Sequence, residues 1–408
     1  MDTKENEKKE RVFQKDVCII GGCGHVGLPL AIVLAYKGKN VSVYDINREN
    51  VERSKKGIIP FYEEGAEPLL KQVISTGKLE FSDNPEIVAE AENIIMIIGT
   101  PVDEHLNPTF DIVKRSVSDI EGYLKDDQLL ILRSTVYPGL TKRLRDWLIE
   151  KGIHTEVAFC PERILEGKAV EELESLPQIV SSFTKQGVER ASKLFSVLTD
   201  DIVVVDPMEA ELAKLYCNVW RYIKFTVSNQ FYTIANDYGM DFYNIYYAMT
   251  HNYKRCDDFP RPGFAAGPCL FKDTMQLGAF NNNDFNLGHT AMLINEGLPN
   301  YIFKKLKEKY DLSLLTIGIL GMAFKAESDD IRESLSYKVK KISEFEAKKT
   351  LCSDPYVKDQ RFVSAEDVIA QSDIVIIATP HKEYAKLHFE SEKKIVDIWN
   401  ILGRGGKF

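Results

Sequence analysis

The segment Gly22-x-Gly24-x-x-Gly27 constrains this chain more than any other feature. An apolar run from Asp16 to Gly21 precedes it, and Leu28 to Tyr36 follows with apolar residues at helical spacing, so the glycines mark a strand–turn–helix. Val41-Ser42-Val43-Tyr44-Asp45 reads as a second strand ending in an acid. Asn93 to Gly99, Gln128 to Ser134 and Thr155 to Cys160 are further buried-strand candidates between helical segments. This alternation predicts an α/β fold whose N-terminal part is a Rossmann-type, doubly wound parallel sheet.

In that context the glycines have a chemical meaning. They permit a tight turn and the close approach of a pyrophosphate to a helix N-terminus, with Gly22, Gly24, His25, Val26 and Gly27 beside the cofactor. Asp45 stands where such a turn needs a carboxylate for the ribose hydroxyls, which disfavours a 2'-phosphate and predicts NAD rather than NADP. The bland alternative is a purely structural turn.

At 408 residues the chain is too long for one ordinary core, so two or three domains are expected. With 44% hydrophobic and 28% charged residues it is globular, and a net charge of -9 leaves no broad basic surface for nucleic acid. Seven cysteines without C-x-x-C spacing indicate neither a disulfide framework nor a zinc site, so no metal is expected and a reducing cytoplasm fits best. The Lys- and Glu-rich stretch 1–15 lacks the apolar centre of a secretory signal and reads as a solvated tail. No run approaches the ~20 apolar residues that span a bilayer, so no membrane partner is expected.

The pattern changes at Asp206-Pro207-Met208-Glu209, an acid N-cap, a first-turn proline and a capping-box glutamate. The helix it opens runs to about Tyr238, with Ala210, Ala213, Leu215, Val219 and Ile223 on its apolar side, and is long enough to bridge domains and pack on a second subunit. The loop Phe259 to Pro268 interrupts the helical region. Strands at Leu315 to Leu320, Thr350 to Ser353, Asp373 to Ala378 and Lys394 to Ile398 predict a smaller C-terminal Rossmann-like domain. The expected layout is a tail at 1–15, a cofactor domain at 16–205, a central helical domain at 206–310 and a last α/β domain at 311–408.

Gly267-Pro268-Cys269-Leu270-Phe271-Lys272-Asp273 adds a candidate nucleophile to the dinucleotide site. Cys269, Lys272 and Asp273 share one face if a helix begins near Pro268, and a place in the first turn favours the thiolate. A dehydrogenase that stops at the carbonyl needs no thiol, whereas one that proceeds to a carboxylate can hold the aldehyde on sulfur. An inert buried cysteine is the alternative, and Cys18, Cys160, Cys217 and Cys352, in or beside apolar elements, are expected to be inert. Lys214 and Asn218 lie one turn apart and could together stabilise an oxyanion, or could simply line a solvated face.

With these pieces located, the chain from Asp16 to its end resembles the UDP-glucose/GDP-mannose dehydrogenase family. The similarity rests on ordered blocks: Gly99-Thr100-Pro101, Ser134-Thr135-Val136-Tyr137-Pro138-Gly139, Pro161-Glu162-Arg163-Ile164-Leu165-Glu166-Gly167, Ala210-Glu211-Leu212-Ala213-Lys214-Leu215 with Asn218, the Cys269 block, and Gly321-Met322-Ala323-Phe324-Lys325 running to Asp329-Asp330-Ile331-Arg332-Glu333-Ser334. The resemblance implies a homodimer or higher oligomer, an active site in a cleft between domains, and a UDP-sugar substrate oxidised at C6, with uronates of this kind feeding surface polysaccharides. It implies Cys269 as nucleophile, Lys214 and Asn218 at the oxyanion, Glu166 and Asp273 handling protons and water, and Thr135 near that water. Gly99, Thr100, Pro101 and Thr135 would pass beside the cofactor, with Arg332 reaching cofactor or phosphates. Glu162, Arg163, Ile164, Leu165, Lys214, Phe264 and Lys325 would meet the substrate.

Two features point to different sugars. Arg163 after Glu162 is similar to members acting on UDP-N-acetylhexosamines, whereas Cys269-x-x-Lys272-Asp273 is similar to the UDP-glucose and GDP-mannose members. Phe271 stands where proline is usual, and Pro268 where a bulkier residue is. A two-electron hydroxyacid-type dehydrogenase and a nucleotide-sensing protein without turnover are the competing readings.

Overall fold

Strand β1 (Lys15–Ile20) shows why the N-terminal strands read as continuous apolar runs: Val17 and Ile19 enter one core, Cys18 and Ile20 the other, on opposite faces of the sheet. A sheet covered on both faces buries both sets of alternating side chains. Seven more strands complete it: β2 (Val41–Tyr44), β3 (Leu79–Ser82), β4 (Ala91–Met96), β5 (Leu129–Leu132), β6 (Glu156–Phe159), β7 (Gln178–Ser182) and β8 (Ile202–Val204). Their order is β3-β2-β1-β4-β5-β6-β7-β8. All neighbouring pairs are parallel except β6 with β7. This computed structural model describes residues 12–100, 110–391 and 393–407, so most of the expected tail lies outside the described residues.

The direction of strand ordering reverses between β1 and β4, and ligands of doubly wound sheets bind at the carboxyl ends of the strands at such a switch. The glycine turn follows β1 at that point and leads into α1 (Gly27–Tyr36), in which every residue from Gly27 to Ala35 is buried. Each fully buried Leu, Ile or Val there contributes roughly 1.5–3 kcal/mol by leaving water.

The chain separates into two units, one ending at Lys214 and the other beginning at Leu215. The division falls within a helix. After α2 (Leu140–Glu150), the long α3 spans Pro207–Asp237, and its start matches the expected cap: Asp206 N donates to Glu209 Oε2 at 3.0 Å. In the second unit α4 (Leu270–Phe280) and α5 (Asn286–Lys307) pack on one another, and a four-stranded parallel sheet follows. Its strands are β9 (Thr316–Leu320), β10 (Lys349–Ser353), β11 (Ile374–Ile377) and β12 (Lys394–Val396), in the order β10-β9-β11-β12. One apolar core joins the helical residues Tyr232, Phe242 and Phe303 and the loop residue Phe264 to Ile317, Ile319, Ile374 and Ile376 of this sheet.

Candidate active site

In the first unit the glycines are needed for different reasons. A Cβ on Gly27 would lie 2.6 Å from Gly22 Cα, and one on Gly22 would lie 2.8 Å from Val43 Cγ1, so Gly27 is glycine because the turn is packed against itself and Gly22 because it is packed against β2. Gly24 is different: a Cβ there meets nothing nearer than Gly21 O at 3.9 Å. Open space at the helix N-terminus, beside a position where the chain itself does not demand glycine, fits an approaching pyrophosphate. Val26 is the N-cap of α1, and His25 lies against the Phe61 ring with centroids 4.1 Å apart. Asp45 directly follows β2 and ties the turn, accepting from Cys23 N and Asn47 N at 2.9 Å each. Gly99 is exposed three residues past β4, and Thr100 Oγ1 donates to Thr135 O at 2.6 Å. Pro101 lies outside the described residues.

The loop carrying Glu166 is held by carboxylates that cap its backbone. Glu63 accepts from Gly167 N at 2.9 Å and Ala169 N at 2.6 Å, and Glu172 accepts from Leu165 N at 2.5 Å. Glu162 accepts from Arg163 N and Ile164 N at 2.7 and 3.1 Å. Its other oxygen receives the Arg133 guanidinium through both Nε, at 2.9 Å, and Nη2. Arg133 is fully buried, and Nη1 and Nη2 also reach Cys160 O and Gln178 Oε1. Glu162, expected at the substrate, therefore spends its carboxylate on shaping the loop. Arg163, half-buried, donates to Pro177 O, while Ile164, Leu165 and Glu166 are half-buried in the same loop. Nothing local in the sequence marked Arg133, which lies inside an apolar strand run.

A second carboxylate cap holds the turn from Gly139 to Thr141. Buried Glu211, on the first part of α3, accepts from Gly139 N at 2.5 Å, Thr141 N at 2.8 Å and Thr141 Oγ1 at 2.5 Å, fixing the start of α2. Burial pushes the Glu211 carboxyl above the usual carboxylate range. Lys214, three residues on, is half-buried.

In the second unit Cys269 is exposed and occupies the N-cap of α4 rather than its first turn. Asp273 N donates to Cys269 O at 2.9 Å, so the residues from Cys269 to Asp273 form one helical turn. Asp273 is fully buried; its Oδ2 accepts from Asn218 Nδ2 on α3 at 2.5 Å. Lys272 Nζ is 3.1 Å from Oδ1, within ion-pair range but not aligned for a hydrogen bond. The structure thus brings together Cys269, Lys272, Asp273 and Asn218. Gly267, two residues before the thiol, has φ +101°, and a Cβ there would lie 2.5 Å from the Phe324 ring. Its N–H donates to Glu333 O at 3.3 Å, joining the thiol's loop to the segment that carries Lys325 and Arg332. Lys325 is half-buried, and Arg332 is exposed and paired with Asp330. The Phe264 ring is packed in the core at 3% exposure.

The remaining thiols divide by environment. Burial pushes Cys18, Cys23, Cys160 and Cys352 up to about 12, which leaves them protonated and inert. Cys217, read as inert in or beside an apolar element, is exposed on α3. Among the described residues no group of carboxylate, His or Cys side chains could hold a metal ion, and no helix is long and apolar enough to cross a membrane.

Three family models match the chain in order: the NAD binding domain of the UDP-glucose/GDP-mannose dehydrogenase family over residues 15–199, its central domain over 208–296 and its UDP binding domain over 318–404. UDP-N-acetyl-D-mannosamine dehydrogenase of Pyrococcus horikoshii is 30% identical over 400 residues, covering 93% of this chain and 94% of that protein. The enzyme of the same name from Methanocaldococcus jannaschii is 29% identical, covering 96% and 93%. Among solved structures, a UDP-glucose dehydrogenase from Pyrobaculum islandicum superposes with a TM-score of 0.87 at 26% identity, covering 94% of each chain. The Pyrococcus horikoshii enzyme superposes with a TM-score of 0.86 at 29% identity, covering 93% of each chain.

Proposed function

This chain belongs to the UDP-glucose/GDP-mannose dehydrogenase family, and from that premise we propose that it oxidises the C6 alcohol of a UDP-sugar to the carboxylate through a covalent intermediate on Cys269. That it is an NAD-dependent dehydrogenase acting on a nucleotide sugar follows from its family; the covalent step and the sugar are the proposal. The observation that carries the covalent step is the setting of Cys269, an exposed thiol at the positive end of α4 with a buried carboxylate one turn away.

The glycine turn and Asp45 would hold NAD, which when bound supplies the hydride acceptor. Loss of the first hydride from C6, with the hydroxyl proton passing to a base or water, leaves an aldehyde. Cys269 Sγ adds to its carbon, forming a C–S bond and an oxyanion, which is protonated to the thiohemiacetal. One N–H of Asn218 Nδ2 is committed to Asp273, so the other is left for that oxyanion, with the Lys214 ammonium as the second donor. A second hydride, for which a fresh NAD would be the acceptor, leaves the thiohemiacetal carbon while the hydroxyl proton passes to a base or water, and a thioester results. Water, deprotonated by Asp273 or Glu166 with Thr135 as its polar neighbour, attacks the carbonyl; the C–S bond breaks and the uronate departs. Lys325 and Arg332 are the proposed cations for the substrate's phosphates, and Arg163, Ile164 and Leu165 are proposed as sugar contacts.

Relatives at 29–30% identity act, by their names, on UDP-N-acetyl-D-mannosamine, and Arg163 follows Glu162 as in hexosamine enzymes, so this sugar is proposed first. UDP-glucose is the second reading, favoured by Lys272-Asp273 after the cysteine and by the likeness to the Pyrobaculum enzyme. The test is NADH yield with each sugar limiting, on wild type and Cys269→Ser. Two NADH per sugar, lost in the variant, supports the covalent route and names the substrate. One NADH, or a fully active variant, selects the two-electron hydroxyacid-type reaction instead, and no NADH with any sugar selects a nucleotide sensor.

The active form is proposed to be a homodimer in a reducing cytoplasm. Tyr216, Trp220, Phe231 and Ile234 expose 53%, 58%, 41% and 47% of their surface along α3, and this apolar row is the face proposed to meet the second copy. Trp220→Glu would then move the protein from dimer to monomer mass in light scattering, and an unchanged mass would count against this surface. All seven cysteines are free thiols, in keeping with that compartment.

A further inference from the structure

In the C-terminal sheet the strand order reverses between β9 and β11, so a ligand of this sheet belongs at their carboxyl ends. Two segments meet there: Gly321 to Lys325 after β9, and Ala378 to His381 after β11. Two buried side chains join them. Asp354, just past the end of β10, and His381 are each 0% exposed at the side chain, with His381 Nε2 3.2 Å from Asp354 Oδ2. The same Oδ2 accepts from Met322 N at 2.6 Å and Ala323 N at 3.0 Å, while Oδ1 accepts from Tyr356 N and Val357 N at 2.8 and 2.9 Å.

The other imidazole nitrogen completes the arrangement. His381 Nδ1 accepts from Glu327 N at 3.0 Å, which assigns the neutral tautomer with its proton on Nε2, donated to Asp354. Glu327 has φ +49°, a left-handed conformation that a non-glycine residue keeps only when its surroundings hold it. Lys325 therefore sits between two gripped points: Met322 and Ala323 held by Asp354, and Glu327 held by His381. Thr379 Oγ1 adds a third contact, donating to Ala323 O at 2.7 Å.

From this geometry we infer that Asp354 and His381 are positioning residues for the substrate's nucleotide: they set the backbone from Met322 to Glu327 so that Lys325 meets the diphosphate. The inference rests on the reading of Lys325 as a phosphate ligand. It assigns the pair to the sheet's switch point as a carboxylate–imidazole clamp on backbone N–H groups, with no contact of its own to the substrate.

The two halves of the clamp can be separated by side-chain shape. Asn at position 381 puts an acceptor where Nδ1 stands and keeps the Glu327 contact, whereas Gln puts a donor where Nε2 stands and keeps only the Asp354 contact. UDP and NAD affinities are measured by calorimetry on wild type, Lys325→Ala, His381→Asn and His381→Gln, with thermal melts as the check on folding. His381→Gln is expected to weaken UDP binding by roughly tenfold, the size of one lost hydrogen bond in a buried setting, and His381→Asn by far less. NAD affinity stays at the wild-type value in both, and KM for the UDP-sugar rises in His381→Gln while kcat changes little. Equal UDP affinities for Asn and Gln, or a matching loss of NAD affinity, overturn the inference. If Lys325→Ala itself leaves UDP binding untouched, the phosphate reading falls and the inference with it. Should His381→Gln fail to fold, hydrogen exchange on wild type decides: UDP must slow exchange of the Glu327 amide, and an unchanged rate overturns the clamp.

Discussion

Asn218 and Asp273, 55 residues apart in sequence, meet through a 2.5 Å hydrogen bond between two buried side chains, and this bond fixes the carboxylate one helical turn from Cys269. A buried carboxylate needs donors in proportion to its charge, and here an amide supplies one while the Lys272 ammonium stands 3.1 Å from the other oxygen. The long helix is thus tied to the helix of the proposed nucleophile.

Removing that donor should cost stability and turnover together. Asn218→Ala leaves Asp273 Oδ2 without its side-chain donor, a loss of about 1–3 kcal/mol seen as a lower denaturation midpoint. NADH formation should fall by a larger factor than folding explains, because the same amide is assigned to the oxyanion. A variant with normal kcat and only a lower midpoint would confine Asn218 to structure.

Gly24 and Gly27 should respond differently to alanine. At Gly27 the new methyl meets backbone atoms at 2.6 and 2.9 Å, so the turn must shift and both stability and NAD binding suffer. At Gly24 the nearest atom is 3.9 Å away, so Gly24→Ala should melt like wild type yet bind NAD at least about tenfold more weakly, since the methyl takes up the space left for pyrophosphate. Unaltered NAD affinity would place the cofactor's phosphates elsewhere.

Arg133 and Glu162 form a buried ion pair whose members depend on each other. Arg133→Met leaves the Glu162 charge buried and unpaired, at a cost of about 3–5 kcal/mol in chemical denaturation. Arg133→Met combined with Glu162→Leu should recover much of that stability while leaving the Arg163–Leu165 loop without the carboxylate that caps it, so activity stays low. Full activity in the double variant would remove Glu162 from loop positioning.

Asp354 gives the C-terminal sheet a defined acid sensitivity. Burial opposes its ionisation, but the hydrogen bond from His381 and those from the N–H groups of Met322 and Val357 outweigh it, and the carboxyl titrates at about 2 instead of 3.8. A depressed folded pKa stabilises the fold above the unfolded pKa and loses that contribution as pH falls toward the folded one. Asp354→Asn should therefore be less stable than wild type by about 2 kcal/mol at pH 6, with the gap closing between about pH 4 and pH 2. A gap that persists at pH 2 in urea melts would assign the loss to geometry rather than charge.

Thiol reactivity offers an independent view of Cys269. Iodoacetamide should modify exposed Cys269 and Cys217 and partly exposed Cys256, and spare Cys18, Cys23, Cys160 and Cys352, with inactivation following the Cys269 peptide in mass spectrometry. Inactivation that tracked Cys217 instead would count against the proposed nucleophile.

The legible parts of this protein were those carried by neighbours in sequence. The glycine turn between β1 and α1, the acid at the end of β2, and the Asp206-Pro207-Glu209 start of α3 are local devices, and each lies where its pattern placed it. The apolar strand runs were visible because strands covered on both faces admit few polar residues. Strands β3, β7 and β8 were missed: Leu79–Ser82 carries an exposed glutamate, Gln178–Ser182 is bracketed by polar residues, and Ile202–Val204 is three residues long. The antiparallel pairing of β6 with β7 leaves no local trace at all.

The sequence by itself determined the fold class, the dinucleotide turn, the long helix and the family, because propensity, period and motif spacing act between residues joined by a short stretch of chain. Only the tertiary structure decided what each buried charge touches. Arg133 with Glu162, Glu211 with the start of α2, Asn218 with Asp273 and Asp354 with His381 are separated by 27 to 72 residues. A buried charge is stabilised by whatever donor the packed backbone brings within about 3 Å, and that distance is set by how sheets and helices close on one another.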